Sequence, residues 1–347
     1  ELKNMAEARK YKYRRNYRYY TYTRSADIDN IKNPATIGYM NQREFGEEDD
    51  TTELPQINVI ASCIDTLVSK IAQTKVRPFF NTINGSFKDI QIVKQAQHFF
   101  DVLFDEQKVH QKVALAFKNG CIFDTGVIYV DEDSQKIENA LPFQIYIRPS
   151  EMTYGNITRV YYERKDFPVP LLPEKVYGKF KNKNLEYVDY GIYYDKFNKT
   201  KSYICNGSHV LSESYDKDVL PFIFMHYKEP ITGSTSVSVV DMLYSIQQEI
   251  NILMAKIKDA SQLNPAMTFF MPEGSTAKAT QLNNRVGNVI KYKPINGSGV
   301  PVISSTPAFI DGQYMTTLNE LVDKAYSMVG ISQLSSQSVK PTGLDSG

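Results

Sequence analysis

Tryptophan is absent from the 347-residue chain, and only four histidines and three cysteines are present. Cys63, Cys121 and Cys205 are scattered, odd in number and without a CxxC pair. Neither a disulfide framework nor a zinc site is expected from them, which fits a reducing compartment. His209 and His226 have no carboxylate or cysteine at ligand spacing and read as structural. No apolar run approaches the roughly 20 residues that span a bilayer, and no secretory leader pattern opens the sequence. The GxxxxGKS/T phosphate loop, GxGxxG after a strand, the GxSxG elbow and HExxH are all missing, so ATPase and hydrolase readings have little support. Charge of one sign is not in excess either. The 40 Lys and Arg against 39 Asp and Glu leave a net +1, without the global electrostatic signature of a nucleic-acid coat.

What the sequence does contain is one long amphipathic stretch, Ser236 to Ala260. Val239, Leu243, Ile246, Ile250, Leu253, Ile257 and Ala260 recur at spacings of four and three, laying one apolar stripe along a helix. Ser234 or Ser236 can cap the start, and Asn264-Pro265 closes the end because the residue before a proline is pushed out of the helical region. At roughly 1.5 Å per residue the rod is about 37 Å long. Its other side carries Ser245, Gln248, Glu249, Lys256 and Asp259 and is wet. Two settings suit such a helix: the core of an ordinary α/β domain, or a ring in which it packs against copies of itself. The stripe alone does not choose.

Around this helix the period of the sequence changes several times. Residues 1–50 are a basic, aromatic arm and a loop; Arg14, Arg15 and Arg18 interleave with tyrosines such as Tyr17. That mixture suits phosphates and bases, a neighbouring subunit, or a solvated helix. Asn58 to Lys75 and Lys88 to Lys118 read as helices, with Asn119-Gly120 as a stop. Ile122–Phe123 and Val127–Val130 read as a hairpin-like pair around Asp124-Thr125-Gly126. From Phe143 to Tyr227 the period becomes two. FQIYIR, TRVYYER, KVYGKF, EYVDYGIYYD, KSYIC and FIFMHY are strand candidates of an antiparallel meander. Leu263 to Phe309 reads as a small α/β module and Asp311 to Gly330 as a second amphipathic helix. Ile331 to Gly347, rich in Ser, Gly and Pro, reads as a mobile loop. The opening on Glu1 and the end on TGLDSG suit a segment of a longer protein.

The order of these parts resembles the portal (head-to-tail connector) proteins of tailed bacteriophages. The residues that carry the likeness are KNGCIFDTGVIYVDED, the helix YSIQQEINILMAKIKDA running into NPAM, and VGISQLSSQSVKPTGLDSG. The resemblance implies an α+β, elongated, multi-segment subunit with a β-rich wing, paired long stem helices and a small α/β clip, assembled into a ring. Residues 51–230 are then similar to the wing, 231–262 and 310–330 to the stem helices, 263–309 to the clip and 331–347 to the tunnel loop, with the crown beyond the end.

The resemblance further implies a dodecameric homo-oligomer at the unique capsid vertex of a virion, assembled in the host cytoplasm. Its partners would be double-stranded DNA in the channel, terminase, a head-tail adaptor and the major capsid protein, with no membrane, cofactor, metal or catalytic residue. Lys340, Gln248, Lys256, Ser336 and Ser338 become DNA-channel candidates. Leu243, Ile246, Ile250, Leu253 and Ile257, together with Tyr17, Arg14, Arg15 and Arg18, become subunit-interface candidates. Two rivals stand beside this reading. One is another structural head-tail protein such as an adaptor; the other is a nucleic-acid-processing enzyme with a carboxylate metal site at Asp124, Asp131 and Asp133.

Overall fold

The computed structural model describes residues 7–21, 57–75, 77–83, 85–153, 155–182, 184–231, 236–263, 268–270, 303–305 and 312–331. Four helices come first: α1 Glu7–Thr21, α2 Val59–Gln73, α3 Phe87–Glu106 and α4 Val109–Phe123. Strands β1 Thr125–Asp131, β2 Lys136–Ala140 and β3 Ile145–Ile147 follow, then the short helix α5 Pro149–Thr153, β4 Arg159–Pro168 and α6 Glu174–Lys179. Next come β5 Tyr187–Asp195, β6 Thr200–Cys205, β7 Ser208–Ser214 and β8 Phe222–His226. The long helix α7 Val239–Leu263, strands β9 Thr268–Phe270 and β10 Ile303–Ser305, and helix α8 Gly312–Val329 complete the order. This is an α+β protein.

The chain divides into two compact units. The larger holds α1 to β8, the start of α7 as far as Tyr244 and the end of α8 from Tyr326. Its two sheets are antiparallel throughout: β2-β1-β8, and the meander β3-β4-β5-β6-β7. Alternation along β5 buries Val188, Tyr190, Ile192 and Tyr194. They join Tyr162 and Tyr203 of the meander with Val127, Tyr129 and Phe222 of the smaller sheet in one core. Burying a tyrosine costs free energy unless its hydroxyl finds a partner. Tyr129 and Tyr194 solve this reciprocally, with their oxygens 2.9 Å apart.

Helix α4 meets the smaller sheet at backbone distance. A Cβ on Gly126 would lie 1.7 Å from the Ala116 carbonyl oxygen, and one on Gly120 would lie 3.0 Å from that of Met225. Gly120 therefore serves close packing rather than termination, and α4 runs on to Phe123 where a hairpin strand was expected. The helix stops at Asp124, whose φ of 89° leaves the helical region. KVYGKF is a second correction. It forms α6, not a strand: the Pro173 carbonyl accepts from the Val176 and Tyr177 amides to open the first turn, and the buried pair Val176 and Phe180 recurs at four, not two. Strand β7, absent from the sequence reading, is a polar sheet edge whose SHVLSES lacks an apolar alternation.

The other unit holds α7 beyond Tyr244, α8 up to Ala325 and the antiparallel pair β9–β10, in which Thr268 faces Ser305. Within it Gln247 is fully buried, and its Nε2 donates to Ile57 O (2.7 Å) and Asn251 Oδ1 (2.9 Å). The long helix begins at Val239, three residues later than expected. Its cap is Ser238: Ser238 Oγ accepts from Asp241 N (3.0 Å) and Asp241 Oδ2 accepts from Ser238 N (3.1 Å), a reciprocal capping box.

Gly126→Ala is expected to destabilise the protein by about 3 kcal/mol or more, because backbone meets the new methyl group. Thermal unfolding checks it, with Gly178→Ala as the control. Gly178 lies in a helix with nothing within 4 Å of the added carbon and should tolerate the change. Equal stability of the two variants would refute the close approach.

Candidate functional site

The candidate residues of the long helix occupy different environments. Leu243 and Ile250 are fully buried, Ile246, Leu253 and Ile257 are half-buried, and Gln248 is also half-buried while Lys256 is exposed. Lys340, Ser336 and Ser338 lie outside the described residues. The arm forms helix α1, which docks on its own unit: Tyr13, Asn16 and Tyr19 are buried along one side, and Arg14 faces out. Tyr17 stacks on Phe123 with ring centroids 6.4 Å apart, and Arg18 is half-buried.

Arg15 belongs to a polar junction that joins three segments distant in sequence. Its guanidinium pairs with Asp241 and lies 4.8 Å over the Tyr244 ring. Lys12 Nζ is 2.9 Å from both Asp124 Oδ2 and Asp241 Oδ2. Asn16 Nδ2 donates to Ile122 O and to Ser238 Oγ, each at 3.0 Å. Asp124 also accepts from Thr125 Oγ1 at 2.8 Å. Burial alone would raise Asp241, but the Lys12 ammonium and the Ser238 donors hold it below the usual carboxylate range. Burial alone would lower Lys12, and Asp124 with Asp241 outweighs it and raises the group.

The three aspartates proposed for a metal do not converge. Asp124 and Asp131 bracket β1 and stand roughly 23 Å apart along it, at about 3.3 Å per residue. Asp131 accepts from Ser134 Oγ (2.7 Å) and the Asp133 amide (3.1 Å). Asp133 takes Lys175, Lys201 and Tyr203 at 2.7, 2.8 and 2.7 Å. Burial would raise Asp133, yet these three donors pull it down to about 2. No group of three or more His, Cys, Asp or Glu that could hold a metal ion occurs among the described residues.

Sequence reasoning passed over α3. This 20-residue helix buries none of its residues, although Ser86 caps it properly by accepting from the Asp89 amide. Phe87, Ile92, Phe99 and Val102 are all at least half exposed on it. Several large apolar side chains exposed on one helix suit a surface that a partner covers. The signal was present as apolar residues on several sides of one helical segment, Lys88 to Lys118.

No known protein family matches the chain, and no curated protein does.

Asp241→Asn should cost about 1–3 kcal/mol near neutral pH, since it leaves Lys12 and Arg15 short of a half-buried counter-charge. The deficit should depend on pH. A carboxylate with a depressed folded value contributes fully above its unfolded value of about 3.9, and that contribution disappears as pH falls through the folded value. Chemical denaturation of both proteins should therefore show a gap that is constant from about pH 5 to 8 and closes in acid. A gap that widens in acid contradicts the assignment.

Proposed function

We propose that the chain is the ring-forming subunit of a phage portal. In this reading it builds the DNA channel at the capsid vertex, serving genome packaging, retention and ejection, and it docks terminase, a head-tail adaptor and the major capsid protein. The observation that carries the reading is an order of elements: a 25-residue helix, a small antiparallel strand pair and an 18-residue helix, all following a β-rich unit. This order suits the stem, clip, stem succession that the sequence resemblance implies. The apolar surface of α3 supports it, because a ring subunit needs faces that water does not cover in the assembly. A polar, weakly charged helix face such as that of Gln248 and Lys256 suits a bore through which DNA slides, since tight phosphate contacts would retard it. No helix among the described residues is long and apolar enough to cross a membrane.

Light scattering on size-fractionated protein, with negative-stain class averages, tests the proposal. The expected result is an assembly of about a dozen subunits with a central hole. Phe99→Asp, on the exposed side of α3, should dissociate that assembly while leaving the melting temperature of the subunit within a few degrees. A clean monomer at micromolar concentration refutes the ring; an intact ring in Phe99→Asp refutes α3 as a contact. Lys340→Glu should leave the ring intact and reduce DNA packaging or retention, and an unaltered packaging yield would remove Lys340 from the channel.

A further inference from the structure

A cavity of about 580 Å³ opens in the larger unit between the β1–β2 turn, β4 and the segment leading into α6. Its wall is made by an irregularity. The pairing of β4 with β5 is regular to Arg164, which faces Tyr190, then shifts before Phe167, which faces Val188. Asp166 sits in the shift with φ 51°, a left-handed conformation unusual for a residue with a side chain. In an unbroken strand, positions 164 and 167 would point to opposite faces. The bulge brings them together: the Arg164 guanidinium lies 5.4 Å over the Phe167 ring, and Phe167 is 5.4 Å from the Tyr190 ring.

Donor atoms of two residues on this wall are left without hydrogen-bond partners. The Tyr190 hydroxyl has no hydrogen-bond partner although the residue is 2% exposed, and Arg164 Nε is likewise buried and unpartnered. Arg164 Nη2 stands 2.7 Å from Glu138 Oε2, a charge contact without hydrogen-bond geometry that also leaves Nε unused. Asp133 is satisfied by its three donors, and Lys175 by Asp133 and Glu213. Buried donors without partners are costly enough to be uncommon, and two such residues on one cavity wall define what would fill it. Four carboxylates line the cavity, Asp131, Asp133, Glu138 and Glu174. Against them stand three cations, Lys136, Arg164 and Lys175, so a multiply charged anion gains nothing overall. Phe167, Leu171 and Pro173 supply an apolar side.

We infer that this cavity is a binding site for an uncharged acyl amide carrying an aliphatic group, whose carbonyl oxygen accepts from Tyr190 and Arg164 while the aliphatic group lies on Phe167 and Leu171. The chemistry is that of a capped amino acid or of a backbone carbonyl in an extended peptide. The inference does not depend on the ring.

Saturation-transfer NMR on the full chain, with N-acetyl-leucinamide and the capped tetrapeptide acetyl-Ala-Leu-Ala-Ala-amide as probes, and phosphorus-31 line broadening for inorganic phosphate, test it. Transfer to at least one amide probe and no broadening of the phosphate resonance are expected. A tetrapeptide that binds more tightly identifies the peptide source, and equal binding identifies the small molecule. Tyr190→Phe, which removes one hydroxyl and little volume, should weaken amide binding about five- to ten-fold, as loss of one hydrogen bond in a dry site does. Phosphate binding, no amide binding, or amide binding unchanged in Tyr190→Phe overturns the proposal. The melting temperature gives a second reading without any probe. An unpartnered hydroxyl predicts that Tyr190→Phe melts no lower than the parent; a clear fall would mean that the oxygen is satisfied within the fold, and would also overturn it.

Discussion

The interaction on which most of the larger unit depends is the junction of Lys12 and Arg15 with Asp124 and Asp241. Asp241 is in the first turn of α7, Asp124 is the residue between α4 and β1, and both cations lie on α1. One set of charges therefore ties the amino-terminal helix, the helix–strand corner and the origin of the long helix. Each carboxylate does two tasks. Asp241 closes the capping box with Ser238 as well as holding the cations, and Asp124 takes the left-handed conformation that ends α4 while binding Lys12. An aliphatic residue at either position would lose a backbone function along with a charge, whereas asparagine at 241 would lose the charge alone. Half-buried pairs of this kind contribute little through Coulomb attraction beyond their desolvation. Their effect here is to specify one docking of α1, because any other register would strand four ionised groups.

The core that this junction closes is made of tyrosine to an unusual degree. Tyr129, Tyr162, Tyr190, Tyr194 and Tyr203 are nearly inaccessible. Each ring brings a large apolar area, and each hydroxyl must be accounted for separately. Tyr129 and Tyr194 bond each other, Tyr203 donates to Asp133, and Tyr215 at the margin donates to Val219 O at 2.6 Å. Arg164 lies over the Tyr162 and Tyr129 rings at 4.8 and 5.8 Å, so the aromatic faces also hold a buried cation. Tyr190 is the exception to this accounting, and it lies where the core borders a cavity.

Much of this was legible in the sequence wherever one local period governed a segment. The 3.6-residue stripe of the long helix gave its extent to within three residues at each end, and it ranked Leu243 and Ile250 among the residues facing inward. A tyrosine-rich texture bounded by turn residues marked β4, β5 and β6. The failures have specific causes. Gly120 reads as a stop until Met225 is known to press on it, a contact 105 positions away. KVYGKF alternates on paper, yet only Val176 and Phe180 meet the core. Strand β7 is held by its neighbour rather than by its own pattern. The pairing of Lys12 with Asp124 spans 112 positions, and the cavity wall depends on a one-residue slip at Asp166. No local period carries information of that range.

The exposed apolar surfaces constrain what kind of assembly the chain can form. A two-fold dimer needs a single self-complementary patch, whereas a closed ring of more than two copies is heterologous and needs two different ones. More than one set of exposed apolar side chains is present. Phe87, Ile92 and Phe99 lie on α3, while Tyr314, Met315 and Met328 lie on α8 and Ile252 on α7. At about 25 cal/mol per Å² such residues give useful stabilisation only when a partner covers them fully, because association first costs on the order of 4–15 kcal/mol in lost translational and rotational freedom. In a closed ring every subunit meets two neighbours, so the number of contacts equals the number of subunits. An open chain of the same units has one contact fewer. Two moderate patches that could not sustain an isolated pair can therefore sustain a closed ring, which is the condition the proposed assembly places on α3.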